Sequence, residues 1–270
     1  MNGRRFLAAN LIKRAALLSM MSATAFAAAF AADLPAPKSL SFISCPIYRD
    51  TNQGRKSGCW LADDRESGVR YDISGGRAKP QLGREVLVEG VVSNAPDACG
   101  GIVLTPLHTA VLETRCPSVM LPPENFPGRV FHVSPDSVLP PVDVQRPEPQ
   151  PPFASRQWLI EFNFQSDFLL YQYSEVILDA AARYIRASGA KRVLVSGFSA
   201  TAPLQVSGRV LAEAQGLAKT RAESVAEALR RLGVDPQIMR VSWHGNPDAV
   251  DADDGLAEPS KRRVIIRAEL

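Results

Sequence analysis

Beyond residue 31 the 270-residue chain has no apolar run long enough to cross a bilayer as a helix. It has three histidines and no Cys-x-x-Cys pair, so the usual zinc spacings are missing even with His108 as a spare ligand. The acidic stretch Asp248, Asp251, Asp253 and Asp254 lacks the Gly and the bidentate Glu that a calcium loop needs at set positions, and reads as a solvated loop. Gly197-Phe198-Ser199-Ala200-Thr201 follows a strand-like run but lacks the closing Gly of a nucleophile elbow, and His244 is the only base nearby. No basic patch interleaved with aromatics occurs, which removes the usual nucleic-acid footprint. These absences leave no catalytic set, metal centre or cofactor motif. The expectation is a protein that is not an enzyme, carries no cofactor or metal and has no nucleic-acid partner.

What is present starts with a leader pattern. Arg4, Arg5, Lys13 and Arg14 form a positive n-region, Ala15–Ala28 is small and apolar, and Ala29-Phe30-Ala31 fits an A-x-A cleavage site. Residues 1–31 are therefore read as a signal peptide. No Cys lies near the cleavage point, so a lipid anchor is not expected. Removing four positive charges takes the formal net charge from +3 to near −1, and the pI of 8.7 then says nothing about partners.

The four cysteines, Cys45, Cys59, Cys99 and Cys116, all lie in the first half of the exported chain. An even count after a secretory leader implies two disulfides. Three connectivities are open. Cys45–Cys116 with Cys59–Cys99 is favoured, because domain ends tend to lie close together.

Residues 32–125 contain short β-branched or aromatic runs broken by Gly, Asp, Asn and Pro, of which Val86–Ser93 is the clearest. Helical periodicity of useful length is absent before residue 120. This predicts a small all-β, disulfide-containing domain, either an OB-like barrel or one of the small sandwiches that give the same pattern. Residues 126–154 carry Pro135, Pro140, Pro141, Pro147, Pro149, Pro151 and Pro152 and read as an extended linker, which limited proteolysis is expected to cut first.

Residues 155–270 alternate element types. Trp158–Phe164, Lys191–Gly197, Arg240–Gly245 and the run from Arg263 read as strands. Ser174–Ala187 reads as a helix, with Ser174 at its N-cap and Gly189 past its end. The most regular stretch is Leu211–Gly233. Its Leu211, Ala214, Ala218, Ala222, Val225, Leu229 and Leu232 recur at helical spacing, and Gly233 follows where a left-handed cap belongs. Arg221 sits at the edge of that stripe. It is read either as a stem with a wet head or as a guanidinium aimed at a carboxylate ligand. The order predicts an α/β sandwich with helices on one face of a mixed sheet.

Leu217-Ala-Lys-Thr-Arg221-Ala-Glu-Ser-Val225 resembles the Leu-Ser-x-x-Arg-Ala-x-x-Val signature of the OmpA-like C-terminal domain family. Gly197-Phe-Ser-Ala200 stands where that family has Gly-His-Thr-Asp, and Lys261-Arg262-Arg263-Val264 resembles its Asn-Arg-Arg-Val. The resemblance implies a non-catalytic periplasmic protein associated with the outer membrane or cell wall. Its partner would be diaminopimelate-containing peptidoglycan, or else other envelope proteins. It implies a site at Arg221, Arg262 and Ser199. The family's Asp falls on Ala200, its supporting Asn on Ala214 and its Asn before Arg-Arg on Lys261. The loop from Ser199 to the Arg221 helix is also longer than usual. Binding would accordingly be weak, and the alternative is a degenerate domain used as a protein-interaction module.

Overall fold

In the C-terminal half, apolar alternation is what builds the sheet. In the computed structural model, which describes residues 39–52, 58–128, 146–170, 172–250 and 255–270, β8 (Arg156–Glu161), β9 (Arg192–Ser199), β12 (Met239–Gly245) and β13 (Arg263–Glu269) form one mixed sheet in the order β12-β9-β13-β8. β9 buries Val193, Val195, Gly197 and Ser199 on one face. Against that face lie α1 (Tyr173–Ser188) and α2 (Leu217–Arg231), whose Leu178, Ala181, Ile185, Val225 and Leu229 fill a common core with Ile160, Val264 and Ile266. The helices-on-one-face expectation is met. Residues 1–31, read as a leader, residues 129–145 of the Pro-rich run, and Asp251, Asp253 and Asp254 lie outside the described residues.

Two helix starts differ from expectation. α1 begins at Tyr173 with Gln172 as N-cap, whose backbone N–H donates to Glu175 Oε2 at 3.1 Å, so Ser174 is already inside the helix. Gly189 caps its end in the left-handed region as expected. α2 begins at Leu217, six residues later than the apolar stripe suggests. Leu211 instead belongs to a hairpin of β10 (Leu204–Val206) and β11 (Arg209–Leu211). The two-residue turn between them, Ser207-Gly208, has positive φ at both positions, the geometry of a tight primed turn that Gly favours. The stripe was real, but a local turn outcompeted helix propagation.

The N-terminal half is all β, as expected: β1 (Ser39–Ser44), β2 (Pro46–Arg49), β3 (Cys59–Asp63), β4 (Arg70–Asp72), β5 (Arg84–Val92), β6 (Ile102–Arg115) and β7 (Val119–Leu121). β1 and β2 are one strand bent at Cys45. The first half pairs β5 and the second pairs β3. With β3 on β4, β4 parallel to β6, and β6 on β5, the ring closes. This is the five-strand barrel of an OB-like domain. Phe42, Ala62, Ile73, Val86, Val88 and Leu104 fill it.

Cys59 and Cys99 are bonded across a separation of 40 residues. Cys45 and Cys116 are not, which corrects the expected second disulfide. They are free thiols, and Cys45 also accepts from Arg65 Nη2 at 3.6 Å. Burial, then a hydrogen bond to Cys45, pushes the Cys116 thiol up to about 12.

The described residues form one unit, and several contacts tie the barrel to the C-terminal sheet. Val206 and Leu211 of the hairpin pack with Ile43, Leu87, Ala110 and Leu112 of the barrel and with Phe164. Ile43 N–H donates to Ser207 Oγ at 3.0 Å. The described end of the Pro-rich run lies along α1: Arg146 pairs with Asp179 at 2.5 Å, Arg183 donates to the Pro147 carbonyl, and Ala154 exchanges two hydrogen bonds with the Tyr184 hydroxyl.

Two outcomes test this packing. A Cβ at Gly197 would stand 2.1 Å from the Ala218 carbonyl oxygen and 2.8 Å from Ala222 Cβ. Gly197→Ala must push α2 off the sheet and is expected to cost about 3 kcal/mol in denaturant unfolding, and a cost under about 1 kcal/mol would contradict the packing. A mild disulfide oxidant should join Cys45 to Cys116 and no other pair. Peptide mapping that finds either of them on Cys59 or Cys99 would show the thiols are placed wrongly.

Candidate functional site

Arg221 projects from the first turns of α2 into the core and is fully buried. All five of its N–H donors are used. Nε donates to the Ser166 carbonyl at 2.8 Å. Nη1 donates to the Phe198 carbonyl at 3.0 Å and Glu213 Oε2 at 2.9 Å. Nη2 donates to the Asn163 carbonyl at 3.2 Å and Glu213 Oε1 at 2.6 Å. Its guanidinium lies 5.1 Å from the Phe162 ring centroid. Burial pulls the Arg221 pKa below its ordinary value, against the opposing pull of Glu213.

Glu213 is equally enclosed. Besides the fork from Arg221, Oε1 accepts the Gln165 N–H at 2.9 Å and Oε2 the Ala200 N–H at 2.8 Å. The Glu213 N–H in turn donates to the Ala200 carbonyl at 2.9 Å. A buried charge pair is stable only when its remaining hydrogen-bonding capacity is met, and here it is met. The head of Arg221 is thus not wet, which corrects that reading of its position, and the carboxylate it faces is that of Glu213. The sequence reading missed Glu213. Its signal was an acid eight residues before Arg221, combined with Ala at position 200.

Arg262 is also buried, and its fork closes on Glu89 of the barrel, Nη1–Oε1 3.1 Å and Nη2–Oε2 2.5 Å. Two more ion pairs cross the same boundary. Arg209 of the hairpin pairs with Glu85, and Arg77 of the barrel pairs with Glu161 at 2.9 Å, with His108 Nε2 3.7 Å from the same carboxylate oxygen. The Ser199 hydroxyl is buried and finds no hydrogen-bond partner among the described residues. Arg221 and Arg262 feel each other's charge. They do not open into a shared cleft, because each is closed by its own carboxylate.

An open cavity of about 560 Å³ does lie beside Ala200, lined by Pro203, Leu204, Asn246, Asp248, Glu258 and Lys261 among others. Lys261 is engaged with Glu258 at 2.6 Å. Among the described residues no group of His, Cys, Asp and Glu is placed to hold a metal ion.

Removing one member of a buried ion pair strands the other. Arg221→Ala and Glu213→Ala are each expected to cost about 3–5 kcal/mol of unfolding free energy, with the double variant costing clearly less than the sum. Denaturant titrations showing Arg221→Ala within about 1 kcal/mol of wild type would mean the guanidinium is solvent-exposed after all.

Residues 161–263 match the model of the OmpA family. No curated protein matches the chain. Similar solved structures include the OmpA-like domain of FopA1 from Francisella tularensis subsp. tularensis SCHU S4, 18% identical over 42% of this chain and 71% of that one, TM-score 0.33. The periplasmic domain of Helicobacter pylori MotB is 21% identical over 43% of this chain and 74% of that one, TM-score 0.34. The peptidoglycan-associated lipoprotein from Burkholderia pseudomallei is 25% identical over 41% and 89%, TM-score 0.32. By this match residues 161–263 of the chain are an OmpA family domain.

Proposed function

We propose that this is an exported, non-catalytic envelope protein whose OmpA family domain works as a protein-interaction module and does not grip a stem peptide through Arg221. One observation carries this reading: every donor of Arg221 is taken by an internal acceptor, and the internal carboxylate of Glu213 stands where a ligand carboxylate would have to bind. A bidentate fork on a carboxylate is the strongest contact a guanidinium makes. An incoming ligand would have to displace Glu213 and leave it buried without its counter-charge. Arg262 forks on Glu89 through Nη1 and Nη2, while its buried Nε has no hydrogen-bond partner among the described residues. The leader pattern at residues 1–31 supports export to the periplasm, and the family match supports the envelope as its setting.

A second reading, weak association with diaminopimelate-type peptidoglycan, is favoured by the open cavity beside Ala200, which offers Asp248 for an ammonium. Co-sedimentation of the chain lacking its leader with purified peptidoglycan separates the two. On the interaction-module reading wild type stays in the supernatant. Wild type in the pellet, lost on Asp248→Asn, would establish the second reading in its place.

A further inference from the structure

β12 is a seven-residue edge strand. It pairs with β9 on one side, and no described strand pairs with the other. Long bare edges are normally blunted by proline, a bulge or a covering segment, because their unpaired N–H and C=O groups recruit another strand. β12 has no proline, and its seven register pairs with β9 run without a shift. It also exposes two apolar side chains on its helix face, Val241 at 38% and Trp243 at 47%. Trp243 is overhung by Lys219 of α2, with Nζ 5.4 Å from the ring centroid, and Lys219 lies 3.8 Å from Glu223 one turn along. Lys219 and Glu223 are both about half exposed.

We propose that this edge joins a second copy of the same chain, β12 pairing antiparallel with its symmetry mate about a two-fold axis through Ser242. The strand is self-complementary in that register. Ser242 is the midpoint of Met239–Gly245, so full overlap sets Ser242 opposite itself and Val241 opposite Trp243, twice. Cross-strand aromatic and β-branched side chains are a favourable pair. The two four-stranded sheets become one of eight strands with all helices on the same side. α2 packs on both β9 and β12, so its axis sits slightly inboard of the edge. With strands about 4.8 Å apart, the two α2 axes fall about 10 Å from each other, which is helix-packing distance.

The charges also match. α2 runs antiparallel to β12, as a crossover between parallel strands requires. Lys219 stands above Trp243, and Glu223, one turn on, stands toward Val241. The two-fold axis therefore faces Lys219 of one copy with Glu223 of the other, at both ends of the contact. A C2 interface has to be complementary to itself in this way. The proposal does not rest on what Arg221 binds, so peptidoglycan pelleting and oligomeric state can succeed or fail separately.

The test is sedimentation velocity on the full chain without its leader, across a concentration series, together with site-directed cross-linking. Wild type is expected to move from monomer to dimer. Trp243→Glu should weaken the dimer by tenfold or more. Lys219→Glu and Glu223→Lys should each weaken it by roughly two- to fivefold, as exposed pairs do, and the double exchange should restore it. Because the variants lie on an exposed edge, circular dichroism should show each of them folded. Ser242→Cys should cross-link to itself under mild oxidation, since directly opposed strand residues lie within disulfide reach, whereas His244→Cys should not. A chain that stays monomeric throughout, a dimer indifferent to Trp243→Glu, or His244→Cys linking as readily as Ser242→Cys would overturn the proposal.

Discussion

The C-terminal domain depends on one buried guanidinium finding acceptors for all five of its N–H groups. Arg221 enters the core between α2 and the loop that follows β8, where leaving a charge unpaired is prohibitive. Three backbone carbonyls and one carboxylate answer it. The carbonyls come from Asn163, Ser166 and Phe198, so the arginine ties the ends of β8 and β9 to α2. The carboxylate comes from Glu213, and Glu213 also holds the backbone N–H groups of Ala200 and Gln165. The position that the family resemblance marks for ligand binding is a structural hub of this fold.

A second buried fork lies at the barrel. Arg262, the second position implied by the resemblance, is closed by Glu89. Two further ion pairs, Glu85–Arg209 and Arg77–Glu161, cross the boundary. Three carboxylates meet three guanidinia there, two carboxylates from the barrel and one from the C-terminal sheet. The apolar part of the contact is supplied by the hairpin of β10 and β11. That hairpin fills the stretch between Ser199 and the Arg221 helix and is the part of it that meets the barrel. Partly buried pairs of this kind add specificity of docking more surely than they add stability.

Much of this was legible in the sequence. Helical and strand periodicities located α1, α2 and the four strands of the C-terminal sheet, because long amphipathic runs leave little ambiguity. The barrel was legible as β but not in its closure, which depends on a bend at Cys45 that no periodicity marks. The start of α2 was misplaced because Leu211 continues the apolar stripe in phase. Only the Ser207-Gly208 turn, a two-residue signal, betrays the hairpin. The candidate site was legible by position and not by state. The family resemblance marked Arg221 and Arg262, but what faces each of them, Glu213 eight residues away and Glu89 of the barrel, is a matter of tertiary contact. The pairing of Cys45 with Cys116 was read as a bond where the structure has neighbouring thiols.

The central claim is that Arg221 is already occupied by its own chain. Nitrogen-15 NMR of the arginine side chains reads this directly on the leader-free protein. The Arg221 Nε–H, donating to the Ser166 carbonyl in a dry site, should give a sharp signal protected from solvent exchange and unmoved by a diaminopimelate-containing stem peptide. Rapid exchange of that proton, or a shift that saturates with added peptide, would contradict it.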